Sequence, residues 1–192
     1  MVDVLAINGS PRTNGNTRRC LGVVLEVLER EGFSTELVQL RPLKIDPCDS
    51  CYKCAREKDG RCHGPDDDLN GVLEKILRAD CILLGSPTYF AGVSSKMKSV
   101  IDRAGLVCKV NGDLLKHKVG APVVAARRQG ACSVYSGLVY FFGINGMFVV
   151  GSSYWNLAIG RDPGDVERDE EGMATLRNLG ENVAWLLRKL RA

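Results

Sequence analysis

Apolar residues along this chain fall into two alternating patterns: short continuous runs, and longer stretches with helical spacing. Residues 2–8 are an almost unbroken apolar run that stops at Asn8-Gly9, which predicts a buried strand ending in a turn. Residues 17–32 follow with Leu21, Val24, Leu25 and Leu28 on one helical face. Residues 35–40 predict a second strand. Residues 66–79 predict a helix with Asp66 to Asp68 as an acidic start and Leu69, Val72, Leu73, Ile76 and Leu77 as its stripe. The alternation continues with a strand at 80–85, a helix at 94–106, a strand at 119–126, a helix at 131–142 and a strand at 147–151. A long loop at 152–165 leads to a closing helix over 166–191.

Strands that are apolar on both faces, each followed by a helix, predict an α/β fold: a doubly wound, five-stranded parallel sheet covered by helices on both sides. Ligands of such sheets bind beyond the carboxyl ends of the strands, which directs attention to the loops after strands one, three, four and five. No repeat or linker divides the chain, so residues 1–192 are expected to form a single domain. Within it, residues 43–65 are rich in Pro, Gly, Asp and Lys and read as an irregular cysteine-bearing insertion after strand two.

Composition narrows the function classes. Of 192 residues, 45% are hydrophobic and 26% charged, an ordinary globular balance. A net charge of +3, without a basic tail, gives no footprint for nucleic acid. The longest apolar candidate, 134–150, is interrupted by Ser136, Gly137, Gly143, Asn145 and Gly146, so no membrane span is expected. With no leader pattern at Met1, a cytoplasmic setting is expected, where thiols stay reduced.

In that setting four cysteines within fifteen residues are informative. Cys48, Cys51 and Cys54 are spaced C-x2-C-x2-C, and Cys62 follows after seven residues. Two intervening residues let the chain turn around a cluster corner, and a fourth thiolate completes a [4Fe–4S] set. Structural zinc more often uses two C-x2-C pairs set well apart, but zinc, or no metal, remains an alternative. Pro47 favours an extended entry and Gly60 permits the sharp return to Cys62. Lys53, Arg56, Lys58 and Arg61 can offset an anionic cluster and attract an acidic partner protein such as a ferredoxin. Cys20 and Cys81 fall in apolar patterns and are expected to be buried; Cys108 and Cys132 lack a ligand partner at useful spacing. His63 and His117 are isolated, with His63 next to Cys62.

The loop after strand one, Asn8-Gly-Ser10-Pro-Arg12-Thr13-Asn14-Gly-Asn16-Thr17, gathers hydroxyls, amides and glycines in front of a helix N-terminus. That is the chemistry of a phosphate cradle, with Arg12 as the cation; the alternative is a well-capped helix. It lacks the Gly-Lys-Ser/Thr of a nucleotide-triphosphate loop and the G-x-G-x-x-G of a dinucleotide fold. Gly-Ser-Pro-Arg-x-x-Gly-Asn-Thr resembles the FMN-phosphate loop of the flavodoxin-like NADPH-dependent FMN reductase superfamily. The four-cysteine pattern resembles the compact motif of its iron–sulfur flavoprotein branch. The resemblance implies strand order 2-1-3-4-5, non-covalent FMN, and a homo-oligomer, dimer or tetramer, with the flavin near the cluster at a subunit interface. In two respects the chain departs from the branch: Asp49, Ser50, Tyr52 and Lys53 stand among the early cysteines where small residues are usual, and the loop after strand four carries Arg127 and Arg128 in place of glycines.

The cofactor residues expected on this basis are Ser10, Arg12, Asn14, Asn16 and Thr17 for the phosphate, and Pro87, Thr88, Tyr89, Phe90 and Gly92 around the ring. Arg127 and Gly130 join them from the loop after strand four. Thr88 suits the polar edge of a flavin and Tyr89 or Phe90 its face; a structural turn with a core aromatic is the alternative. Arg127 and Arg128 suit either the flavin's N1–C2=O edge or a nucleotide phosphate, or form a solvated face. The aromatic loop at Tyr154 and Trp155 is placed near the flavin edge, and residues 160–172 read as oligomer or lid structure.

The leading reading is an FMN-dependent oxidoreductase that relays electrons between a [4Fe–4S] cluster and FMN to a small acceptor such as a quinone or an oxygen species. No side chain is expected to act as acid or base. The alternatives are an NAD(P)H-dependent FMN or quinone reductase without a cluster, and a flavodoxin-type electron carrier. A flavin-free regulatory module would leave the phosphate loop empty.

Overall fold

The computed structural model describes residues 2–191. The strands are β1 (Val4–Asn8), β2 (Thr35–Gln39), β3 (Cys81–Pro87), β4 (Val119–Ala126), β5 (Phe148–Val149) and β6 (Leu157–Ile159). The helices are α1 (Asn16–Arg30), α2 (Lys53–Glu57), α3 (Leu69–Arg78), α4 (Ser95–Val110), α5 (Ala131–Ile144) and α6 (Glu170–Arg191). The strands pair in parallel, as the apolar pattern predicts, and the order is β2-β1-β3-β4-β5, a flavodoxin-like sheet, as the family resemblance implies.

Strand periodicity divides the core into two layers. Leu5 and Ile7 of β1 and Ile82 and Leu84 of β3 face α3, α4 and α5. Val4, Ala6, Cys81 and Leu83 face α1 and α6. Successive side chains of a strand point to opposite faces, so a strand buried on both sides must be apolar throughout. The predicted stripe of α1, Leu21, Val24, Leu25 and Leu28, is buried as expected.

Three elements differ from the sequence reading. The fifth strand is split: β5 pairs with the start of β4 at Val119 and Gly120, and β6 pairs with its end from Val124 to Ala126. The intervening residues, including Tyr154 and Trp155, loop out, and a stretch read as irregular therefore contains a strand. Three apolar residues are too few to carry a strand signal. The closing helix begins at Glu170, preceded by a 3-10 turn at Asp165–Arg168. Finally, α3 begins at Leu69, leaving Asp66 to Asp68 outside it. Asp68 accepts a bond from the Lys44 backbone N–H and Asp67 one from Asp46 N–H, so two of these carboxylates tie down the cysteine segment.

Among the described residues no helix is long and apolar enough to cross a membrane.

Candidate functional site

Two constructions stand out, and the first is a cleft of about 400 Å³ beyond the strand ends. Its floor is the loop after β1. Asn8, fully buried, accepts the Ser10 N–H at 3.0 Å through Oδ1 and donates through Nδ2 to Gln39 Oε1 at 2.7 Å. Gln39 in turn donates to the Ser10 carbonyl at 2.7 Å. Ser10 Oγ accepts the Arg12 N–H at 3.1 Å, and Gly15 N–H closes the turn on the Arg12 carbonyl. A Cβ at Gly15 would lie 2.8 Å from that of Arg12, so only glycine closes this turn without movement. Among the described residues no side chain caps α1, so its first-turn N–H groups and partial positive charge are available to an anion.

The walls come from the loops after β3, β4 and β6. Thr88 to Gly92 form a tight turn in which Tyr89 and Gly92 exchange backbone bonds and Phe90 and Ala91 take left-handed conformations (φ 48° and 57°). Gly130, with φ 87°, packs behind it: a Cβ there would stand 3.1 Å from Ala91 Cα. Ser94 Oγ donates to the Gly9 carbonyl at 2.6 Å, joining the start of α4 to the floor.

The cleft brings together Ser10, Arg12, Asn16, Thr17, Pro87, Thr88, Tyr89 and Arg127 of the expected residues. Asn14 instead lines a groove of about 750 Å³ along the outer side of α1 and β2, which is larger but holds none of the other expected residues. Phe90 and Gly92 belong to the turn without lining the cleft, and Gly130 supports it from behind. Asn16 requires a change of role. Its Oδ1 accepts the Gly164 N–H at 2.8 Å and its Nδ2 donates to the Gly160 carbonyl at 3.1 Å, so both ends of the amide hold the loop after β6. That loop adds Gly160, Arg161 and Asp162 to the lining. The sequence reading missed them because β6 was not seen, although Arg161 in a glycine-rich stretch after an apolar triplet was the available signal. Tyr154 and Trp155 pack on each other at 5.9 Å between ring centroids, and do not line the cleft.

One atom in the cleft calls for a ligand. Thr88 Oγ1 is buried and has no hydrogen-bond partner among the described residues. An unpaired buried hydroxyl costs about 1–3 kcal/mol, which a bound polar group recovers.

The second construction is the cysteine segment between β2 and α3. Three side chains on one side of α4 clamp it, at intervals of seven and eight residues. Lys96 Nζ donates to the carbonyls of Leu40, Arg41 and Leu43. Arg103 reaches Asp46, Cys62, Pro65 and Asp67. Asn111, at the end of the helix, donates to the Cys54 carbonyl at 3.2 Å and accepts the Gly60 N–H at 3.0 Å. From α3, Asn70 makes a two-way amide pair with the backbone of Cys62, 2.9 Å in each direction. Ser50, Tyr52, Lys58 and Gly60 all have positive φ, and the short helix α2 carries Cys54 into the core.

Cys54 is buried, Cys51 and Cys62 are partly buried and Cys48 is exposed. Burial raises the Cys54 thiol above its ordinary range, and the nearby Cys62, Cys51 and Cys48 raise it further. Among the described residues no three His, Cys, Asp or Glu side chains converge closely enough to hold a single metal ion. Arg61 is paired with Glu74 at 3.0 Å and Lys44 with Asp46 at 3.7 Å, leaving Lys53, Arg56 and Lys58 as the exposed cations of the segment without an ion pair among the described residues. His63 lies 3.0 Å from Asp59, its partner in place of a cysteine sulfur. The other cysteines are separate: Cys20 and Cys108 are pushed up to about 12 by burial and Cys81 is likewise raised, while Cys132 is exposed.

Residues 2–162 match the family model described as NADPH-dependent FMN reductase. The chain belongs to that family. An iron-sulfur flavoprotein of Methanocaldococcus jannaschii is 36% identical over 195 residues, with 98% of each chain covered. Among solved structures, RosB with its bound flavin-phosphate intermediate superposes with a TM-score of 0.77 at 20% identity, covering 100% of this chain and 81% of that one. A WrbA-like flavodoxin from Agrobacterium tumefaciens gives a TM-score of 0.68 at 20% identity, covering 98% and 99%. Membership of the family makes the protein an FMN-binding, flavin-dependent oxidoreductase, and the cleft fits that cofactor: an uncapped helix start with a nearby arginine for a phosphate, and an orphaned hydroxyl for a ring edge.

Proposed function

We propose that this oxidoreductase relays electrons between a [4Fe–4S] cluster held by Cys48, Cys51, Cys54 and Cys62 and FMN in the cleft, for delivery to a small acceptor such as a quinone or an oxygen species. The observation that carries the proposal is the double duty of α4. Its first residues brace the floor of the flavin cleft, and Lys96, Arg103 and Asn111 brace the four-cysteine segment. The full-length similarity to an iron-sulfur flavoprotein supports the same reading.

In this proposal the first turn of α1, Ser10, Arg12 and Thr17 take the flavin phosphate, Thr88 takes a polar atom of the ring, Tyr89 packs on it, and Arg127 and Arg161 add positive charge. Asn16 acts indirectly by fixing the loop that carries Arg161. Bound flavin exchanges electrons singly or in pairs, and a cluster exchanges them singly. The protein's part is to hold both at fixed separation and to exclude water from the cleft. Lys53, Arg56 and Lys58 face solvent and suit an acidic protein donor such as a ferredoxin. A homo-oligomer belongs to the same proposal: α5 carries no charged residue and exposes Tyr140 and Ile144, one turn apart on the same face.

A second reading, direct reduction of the flavin by NAD(P)H, draws on the three arginines at the cleft, which face a single carboxylate, Asp162. Purification without oxygen, with iron, sulfide, zinc and FMN assayed on the sample used for the visible spectrum, separates the two. About four irons and four sulfides beside one FMN per chain are expected. FMN with zinc, or with no metal, defeats the relay and leaves the direct reductase.

A further inference from the structure

Arg103 is a cation without access to solvent: its side chain is 1% exposed, as is that of Asp67, its ion-pair partner. Nε and Nη2 point at the sulfur of Cys62, at 3.4 and 3.3 Å. Nη1 donates to the Asp46 carbonyl at 3.0 Å and to Asp67, and Nη2 also lies 3.4 Å from the Pro65 carbonyl. Bracing a turn does not need a charge, since Asn70 and Asn111 brace the neighbouring turns with neutral amides. Burying a guanidinium is costly unless it is paired and its remaining donors are hydrogen-bonded. Asp67 supplies the pair, and the Asp46 and Pro65 carbonyls and the Cys62 sulfur take the other donors. Cys51 has the Asp49 carboxylate and Cys54 the Ala55 backbone N–H as partners, whereas among the described residues Cys62 alone of the four takes its bonds from a side-chain cation.

We propose that Arg103 sets the reduction potential of the cluster through its two N–H···S bonds to Cys62, and that Asp67 opposes it. This rests on the cluster reading above. Reduction adds negative charge to the cluster and its thiolates. N–H donors and positive charge at a ligand sulfur stabilise the reduced form and raise the potential, while a carboxylate beside the guanidinium offsets part of that effect. Arg103 is thus a positioning residue acting through a ligand, and its partner gives the effect a second sign.

The test is a spectroscopic redox titration of iron-replete protein, with the FMN potential as internal reference. Arg103→Gln is expected to lower the cluster potential by about 59 mV, the one-electron equivalent of a tenfold loss in the reduction equilibrium. Asp67→Asn is expected to raise it. The FMN potential stays in place in both. Shifts of the same sign in the two variants, or equal movement of both cofactors, would indicate a merely structural role and overturn the proposal. Because either variant risks misfolding, wild-type protein carrying 15N only in the arginine guanidinium groups provides an independent reading. Pulsed electron paramagnetic resonance of the reduced cluster should detect an arginine nitrogen coupled to the electron spin, and its absence in an iron-replete sample overturns the proposal. Wild-type protein that holds no iron would instead remove the cluster reading itself, and this proposal with it.

Discussion

The flavin cleft lies beyond the carboxyl ends of the strands, whereas the cysteine segment runs along α4 from Lys96 to Asn111, and the two keep their shape by different means. The cleft is made of strand ends and backbone: Asn8 and Gln39 peg the first loop to its neighbouring strand, and Gly15 and Gly130 let chain pass against chain. The cysteine segment lacks a strand, and its only regular element is the five-residue α2. Three of its four positive-φ residues are not glycine, each costing about 1–3 kcal/mol. Side chains from α4 and α3 offset that cost, each hydrogen bond contributing about 0.5–1.5 kcal/mol. A scaffold pre-forms the first site. The second is held from one side, which makes it the more easily lost.

The strongest way to break the comparison is to remove a ligand. Cys51→Ala is expected to abolish iron–sulfur absorption and bring iron per chain close to zero, while FMN remains bound at wild-type stoichiometry. Paired iron and flavin assays check this. Loss of flavin along with iron would mean that the segment helps to build the cleft, and the two sites would have to be treated as one.

The reciprocal change is Gly130→Ala. At φ 87° an alanine is strained, and its Cβ would press on the backbone of Ala91 at 3.1 Å. The turn carrying Thr88 and Tyr89 must then move, and FMN affinity is expected to fall at least tenfold, roughly 1.4 kcal/mol, with iron content unchanged. Fluorescence titration of apoprotein with FMN measures it; an unaltered dissociation constant would show that this turn takes no part in holding the flavin.

The same contrast governs what could be read from the chain. The parallel sheet, both core layers and the phosphate-type loop follow from local patterns: continuous apolar runs, helical stripes, and small polar residues between them; the strand order came from the family resemblance alone. Eight of the twelve expected flavin residues line one cleft because loops at strand ends are placed by the strands themselves. The clamps were not legible. Lys96, Arg103 and Asn111 lie in an ordinary helical stretch, and only the folded chain shows that they share the side facing the cysteines. Asn16 was placed on the phosphate by its position in the loop, but a residue 144 positions away takes its amide. Long-range polar pairing has no periodicity, so sequence pattern is blind to it.

Asn111→Ala tests a clamp without touching a ligand. It removes the bonds to Gly60 N–H and the Cys54 carbonyl and leaves partly buried backbone groups unpaired. A loss of about 1–2 kcal/mol is expected, confined to the cysteine segment. Hydrogen exchange should show faster exchange across residues 53–62, and cluster iron should be lost faster to a chelator, while FMN affinity stays as in the wild type. Uniform loosening of the whole chain would contradict the view that the segment is a locally held unit.

The smallest effect belongs to a group on the far side of the sheet from the flavin cleft. Asp3 joins the Ser34 N–H and hydroxyl to Arg191 at the opposite end of the sheet. Burial works against its charged form, but the bonds from Ser34 and the Arg191 guanidinium prevail and lower its pKa to about 2. A folded-state pKa below the ordinary value of about 3.8 means stability that is fully present above that value and is lost as pH falls toward 2. With solvent screening it contributes about 1 kcal/mol. Asp3→Asn is therefore expected to unfold at slightly lower denaturant concentration at pH 7, with the difference from wild type vanishing near pH 2. Because Asp3 acts on the shared scaffold, flavin release and cluster loss should shift together in this variant, whereas Asn111→Ala shifts only one. If Asp3→Asn released iron ahead of flavin, the sheet would be holding the cysteine segment as directly as it holds the cleft, and the clamps from α4 would be secondary.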